Sequence, residues 1–172
     1  MPDILDGVST EETESVKWVL DIADPASGPD LATEYNAATS VELNCLMTAK
    51  IAPDGSVEVA SLRRACSSKV RQRAGAKTRT IARIVAVYDP QDLSADVSAA
   101  YAALEEGTQG FLVIRRGIHI DTPAQDGDLV TIYKVEVTQR IELQAADNDE
   151  YQFGADFAVL DWWENVPIGG AS

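Results

Sequence analysis

The chain has 172 residues, of which 45% are hydrophobic and 24% charged. That composition fits one folded domain and excludes a disordered chain, which lacks the residues to offset its conformational entropy. A net charge of −14 opposes wrapping of the whole protein around nucleic acid or onto an anionic membrane, and no apolar run approaches the roughly 20 residues of a membrane span.

Residues 1–14 are acidic and aperiodic, and are expected to form a flexible arm ahead of a single β domain over residues 15–172. The opening MPDILDGVSTEETES has neither the basic nor the apolar region of a signal peptide, so the expected starting compartment is the cytosol. Alternation begins at Ser15. Val16, Trp18, Leu20 and Ile22 oppose Ser15, Lys17, Val19 and Asp21, which predicts a strand with one buried face, closed by the loop DPASGPD.

SVELNCLMTAK and SVEVASL flank IAPDG, which predicts a β-hairpin with Pro53 fixing φ, Asp54 capping the turn and Gly55 at positive φ. TRTIARIVAVY places Ile81, Arg83, Val85 and Val87 on one face and Ala82, Ile84, Ala86 and Tyr88 on the other, the pattern of a central strand. Leu93, Val97, Tyr101 and Leu104 fall at helical spacing, predicting one α-helix over about residues 92–106. Asp92 or Ser94 would cap it, Asp96 would face its positive end, and Gly107 would take its left-handed C-terminal position. Strand signals resume in GFLVIRRG, in LVTIYKVEVTQRIEL and from Tyr151 to Trp163, separated by TPAQDGD and AADNDE. The predicted fold class is mostly β with one packed helix.

Signs of chemistry are sparse. His119 is the sole histidine, and Asp121 shares its strand face, but no serine or cysteine stands in a nucleophile setting. Cys45 and Cys66 are isolated thiols, expected to be reduced. The loop DNDE, Asp147–Glu150, starts like a calcium loop, yet its sixth position is Gln152 instead of glycine, so a solvated turn is expected. No phosphate-cradling glycine motif occurs. Trp162 and Trp163 point to opposite faces of a strand, one into the core and the other either toward a partner or under a loop of the same subunit.

The strongest signal is SLRRACSSKVRQRAGAKTRTIAR, Ser61–Arg83, with eight of the 14 cationic residues and no acid. The remaining 149 residues (172 less 23) carry six cations against all 28 Asp and Glu, a net charge of −22 beside +8 in the segment. Its place between two strands makes it a long inter-strand loop. A solvated loop, a nucleic-acid site and a docking element for an acidic protein surface are the competing readings. Self-repulsion weighs against the first, and the lack of aromatic stacking residues weighs against the second. The third fits best, and the obvious acidic surface is another copy of the chain.

TRTIARIVAVYDPQD, the alanine-rich helix, GTQGFLVIRRG and DTPAQDGDLVTIYKVEV together resemble the major tail tube proteins of long-tailed, siphovirus-type bacteriophages, particularly those of actinobacteria. The most distinctive phrase runs from Gly107 to Gly117, followed by Asp121 and the Gly127–Asp128 turn. The resemblance implies a β-sandwich or barrel-like subunit with a flanking helix, six of which form a ring, with rings stacked into a tube. It implies that a long loop contacts the adjacent ring, here over Leu62–Thr80, with Arg63, Arg64, Lys69, Arg71, Arg73, Lys77 and Arg79 as its docking cations. It further implies a tape-measure protein, a tail terminator and distal tail proteins as partners, DNA conducted without specific binding, no cofactor, no catalysis, assembly in the host cytoplasm and a place in the virion. The alternative function is a small β-rich module that binds nucleic acid through residues 61–83, and an enzyme built on His119 is a more distant one.

Overall fold

The computed structural model describes residues 12–63, 69–144 and 149–169. Over these the chain forms β1 (Glu14–Val19), β2 (Val41–Glu42), β3 (Pro53–Arg63), β4 (Val70–Ile81), β5 (Ile84–Val87), α1 (Ala99–Ala103), β6 (Gln109–Arg116), β7 (Leu129–Leu143) and β8 (Gln152–Pro167). A π-helical turn at Leu31–Tyr35 and a 3-10 turn at Asp96–Ser98 complete the elements. Six strands make one antiparallel sheet in the order β2-β1-β6-β7-β8-β5, and β3 pairs only with β4.

The sheet is buried on both faces. In β6, Leu112 and Ile114 enter one cluster with Val16, Trp18, Tyr133, Val135 and Phe153, whereas Phe111 and Val113 enter a second with Val19, Ile132 and Val166. Alternation sends successive side chains to opposite faces, so a strand apolar at every position must be covered twice. Three register shifts in the β7–β8 pair bend the sheet, because an extra residue on one strand kinks it and increases its twist. The curl brings the two sheet edges near enough for residues 41–48 to span them. Trp18 pairs with Val41 at one edge, and at the other the Thr48 amide donates to the Val85 carbonyl while the Val87 amide donates to that of Leu46.

Several sequence expectations give way here. The hairpin around IAPDG does not form: β2 pairs with β1, and β3 pairs with β4. Gly55 has no positive φ; instead the Arg79 side chain crosses it, and a Cβ there would lie 2.0 Å from the Arg79 guanidinium. The single central strand over residues 78–88 is broken at Ala82–Arg83, which shifts its parity, so Ile81, Ile84, Ala86 and Tyr88 all reach one core cluster. Its second half, β5, is the last strand of the sheet, with residues 46–48 shielding its outer edge. In the stripe predicted around β1, Leu20 is exposed and Ile22 joins the cluster opposite that of Val16 and Trp18.

The helix is shorter than its apolar spacing predicts. Asp89 accepts from the amides of Gln91 and Asp92, and Asp92 accepts from the amide and hydroxyl of Ser94, so residues 89–94 are held in side-chain-capped turns that compete with helix. Leu93 and Val97 are accordingly exposed, and only Tyr101 and Leu104 of the predicted stripe pack inward. A five-residue helix is marginal alone. Packing holds it: the Tyr101 ring stacks on Tyr88 with centroids 4.6 Å apart, and Phe153 meets both rings edge-on. Gly107 does take positive φ, at the turn into β6.

The core leaves no space for a side chain at Gly110, where a Cβ would lie 2.5 Å from the Trp18 ring. Trp18 is fully buried, and its ring occupies the space that the added methyl would need. Gly110→Ala is therefore expected to lower unfolding free energy by about 1–3 kcal/mol, the usual range for overpacking a dense core. Denaturant melts read by tryptophan fluorescence check this, and an unchanged midpoint would contradict the packing.

Candidate functional site

The described residues of the cationic segment form the end of β3 and the whole of β4, an antiparallel pair instead of an irregular loop. Both strands are exposed along nearly their whole length, and only Pro53, Arg79 and Ile81, all at the base of the hairpin, draw cover from the domain. At roughly 3.4 Å per residue the hairpin extends on the order of 35 Å. Period-two patterning marks SVEVASL within β3 but assigns it to another hairpin, and it misses most of β4, where neither face is buried and no apolar alternation is selected.

The base of the hairpin is fastened to β8. Arg79 donates to the Glu164 carboxylate at 3.0 Å and lies over the Trp162 ring, 5.3 Å from its centroid. Arg83, just beyond β4, makes a bidentate pair with Asp156 at 2.8 and 2.6 Å. Of the predicted docking cations, Arg79 is thus committed within its own subunit, and Arg64 lies outside the described residues. Arg63, Lys69, Arg71, Arg73 and Lys77 are all exposed.

A register shift between Val57 and Val59 divides these cations. Val57 pairs with Lys77 and Val59 with Ala74, so β4 carries one more residue than β3 over this interval, beside Glu58 and Gly75. Such a bulge reverses the alternation on the strand that bears it. Lys77 therefore shares a face with Val57 and Val59, whereas Arg71 and Arg73, paired with Leu62 and Ala60, occupy the opposite one. Unbroken alternation from Arg71 to Arg79 would have put all four cations on one face.

The six cations outside Ser61–Arg83 are spent locally. Arg115 is buried and donates to Asp128 at 3.0 Å and to the Thr122 carbonyl at 2.6 Å, while Arg116 pairs with Glu14 at 2.7 Å. Lys17 donates to Asn36 beside the Tyr35 ring, and burial lowers its pKa. Lys134 lies over Phe111, and Arg140 donates to the Tyr101 carbonyl over the Tyr101 ring. Lys50 also has a partner. Sequence reasoning missed the Arg115–Asp128 pair, although alternation with Phe111 and Val113 turns Arg115 inward and the Gly127–Asp128 turn delivers its partner.

A second surface feature is a groove of about 500 Å³ between the β1–β2 edge and α1, with Trp18, Leu20 and Val41 on the strand side and Ala102 and Ala103 on the helix side. Glu105 stands at its end. No periodicity announces it, since it exists only where the truncated helix meets the sheet edge.

The remaining candidates are dispersed. His119 is half-exposed, 3.1 Å from Glu12 and 3.7 Å from Asp121, on a surface turn. Cys45 is an exposed free thiol, and Cys66 lies outside the described residues. Of the DNDE loop, Asp147 and Asn148 lie outside them too, and the described residues contain no group of His, Cys, Asp and Glu placed to hold a metal ion. Trp162 and Trp163 pack against opposite core clusters and both are half-buried, so each is shielded by its own subunit. Of the arm expected over residues 1–14, the first eleven lie outside the described residues, and Glu14 opens β1 against Arg116.

The Arg83–Asp156 pair has a pH signature. The hydrogen bond from Arg83 holds the Asp156 carboxyl below its ordinary range. A carboxyl whose folded pKa is depressed adds stability above its unfolded pKa and loses it as pH falls through the folded value. Arg83→Met should therefore lower Tm at neutral pH, with the gap to the parent closing as the solution is acidified through the carboxylate range. Thermal melts across pH test this, and a gap constant with pH would contradict it.

A comparison with curated proteins finds none that matches. No helix among the described residues is long and apolar enough to cross a membrane. The family model described as phage tail tube protein matches residues 1–171, almost the whole chain, in keeping with a curled, mostly β subunit that carries a projecting hairpin. The chain belongs to the phage tail tube protein family and is a structural component of the virion tail.

Proposed function

We propose that six copies close into a ring, that rings stack into a tube conducting DNA, and that each subunit's cationic hairpin docks on the acidic surface of an adjacent ring. The observation that carries this reading is the hairpin's isolation. A two-stranded sheet with both faces in solvent is marginal on its own, and strand edges left unpaired are a liability that proteins manage by covering them. Among the described residues β3 and β4 pair with no third strand. Docking on a second copy would cover faces and edges together.

Charge supports the same partner. The surface outside the hairpin is acidic and its few cations are already engaged, so it attracts the exposed cations of another copy's hairpin, among them Arg63, Arg71, Arg73 and Lys77. A projecting element on one side and a receptor on another make a head-to-tail contact, which closes into rings or propagates as a helical tube. An acidic lumen wall would repel the phosphate backbone and let DNA slide. A tape-measure protein inside the tube, and terminator and distal tail proteins at its ends, are the partners this reading implies. Catalysis has no part in it.

Reversing Arg71 and Arg73 to Glu should leave the subunit folded, because both side chains are exposed, and should abolish tubes, because like charges across a contact repeated along the tube cost several kcal/mol. Electron microscopy for tubes and circular dichroism for folding report the two arms. Normal tubes from the reversed protein would refute hairpin docking.

Binding of DNA should be weak at physiological salt, since the exposed cations face protein and the rest of the surface repels phosphate. Tight binding in a gel-shift assay, lost in the same double variant, would favour the nucleic-acid module instead.

A further inference from the structure

We infer that the receptor for the hairpin is the groove between the β1–β2 edge and α1 of a second copy, filled by the hairpin face that carries Ala60, Leu62, Arg71 and Arg73. The inference rests on the reading that the hairpin docks on another copy, and it adds which face docks and where.

The bulge beside Gly75 makes this face amphipathic. Cross-strand pairing places Leu62 next to Arg71 and Ala60 next to Arg73, with Leu62 55% exposed. The groove is its complement. Trp18 and Val41 form an apolar floor, Leu20 is an exposed apolar lip, and Ala102 and Ala103 are too small to fill the space between helix and sheet. A hollow of about 500 Å³ accepts a leucine and the aliphatic stems of flanking arginines. Glu105, exposed at the end of the groove, supplies a carboxylate for a guanidinium.

The opposite hairpin face is a poorer match. It carries Val57, Val59 and Ala74, with Arg63 beside Val70 and Lys77 six positions away along the ladder beside Val57, so its exposed cations stand apart and it lacks the two neighbouring arginines next to a leucine. The groove likewise offers what an acidic or purely apolar occupant would not use together: an apolar floor and one terminal carboxylate.

Cysteine cross-linking tests the contact. In full-length protein with Cys45 and Cys66 replaced by Ser, Leu62→Cys combined with Ala102→Cys should give, on mild oxidation of assembled tubes, a ladder of covalently linked chains on non-reducing gels. A cross-link confined to a single chain would show the hairpin folding back on its own groove and would overturn the inference. Absence of any cross-link in normal tubes would overturn it as well, while leaving docking elsewhere on the copy intact.

A charge swap gives an independent readout. Glu105→Arg should cut the pelletable tube fraction about tenfold or more by placing like charges in contact, and adding Arg71→Glu to the same chain should restore it. Loss without rescue, in a subunit with parental circular dichroism, would count against the pairing. Failure of the unaltered protein to form tubes, with or without an initiating partner, would refute the broader reading rather than the choice of groove.

Discussion

Burial of both faces of the sheet sets the terms for everything else in this subunit, and β6 is where it is most severe. Every residue from Gly110 to Arg115 is buried, with alternate side chains feeding two separate clusters. A sheet in that position needs cover on each side. On one side the cover is α1 and the segment around Leu43 and Ile51, and on the other it is Ile22, Tyr35 and Ile168. The bulges of the β7–β8 pair supply the bend that lets residues 41–48 reach from one sheet edge to the other. Gly110 belongs to the same constraint, because the Trp18 ring takes the space where a side chain would stand.

Once the sheet is covered in this way, the core has no face left for β3 and β4. The hairpin leaves the domain between residues 52 and 82, tied at its base by Arg79 to Glu164 and by Arg83 to Asp156, and otherwise touches mainly itself. These tethers fix where it emerges, while the bulge beside Gly75 fixes which cations face which way. A self-assembling subunit gains from this division of labour. Folding depends on the covered sheet, and in the assembly we propose, association depends on the hairpin, whose exposed side chains can change charge without opening the core.

The electrostatics follow the same division. Arg115 is buried with its charge balanced by Asp128 and a carbonyl, an arrangement whose loss of either partner would strand a charge in a low-dielectric interior. Lys17, Arg116, Lys134 and Arg140 sit against carboxylates, carbonyls or aromatic rings of the same domain. The 28 acids of the chain far outnumber these cations, so the domain presents a negative field to its neighbours while the hairpin presents a positive one. Opposite fields on one chain favour head-to-tail contact between copies.

The sequence alone determined the mostly β class, the approximate extents of β6, β7 and β8, the concentration of charge in Ser61–Arg83 and the positive φ of Gly107. Each is a local property, written in alternation, composition or the absence of a Cβ, and needs no knowledge of what lies across the sheet. Tertiary structure decided the rest. Pairing of β3 with β4 instead of β2, the place of β5 at the sheet edge, the shortening of the helix by the Asp89 and Asp92 turns, and the groove beside α1 all depend on contacts between residues far apart in sequence or on side chains competing for backbone groups. The split of Arg71 and Arg73 from Lys77 is the clearest instance: alternation fixes the face of each residue only while the register holds, and a single extra residue opposite Glu58, invisible until the partner strand is known, turns half of the cations to the other side.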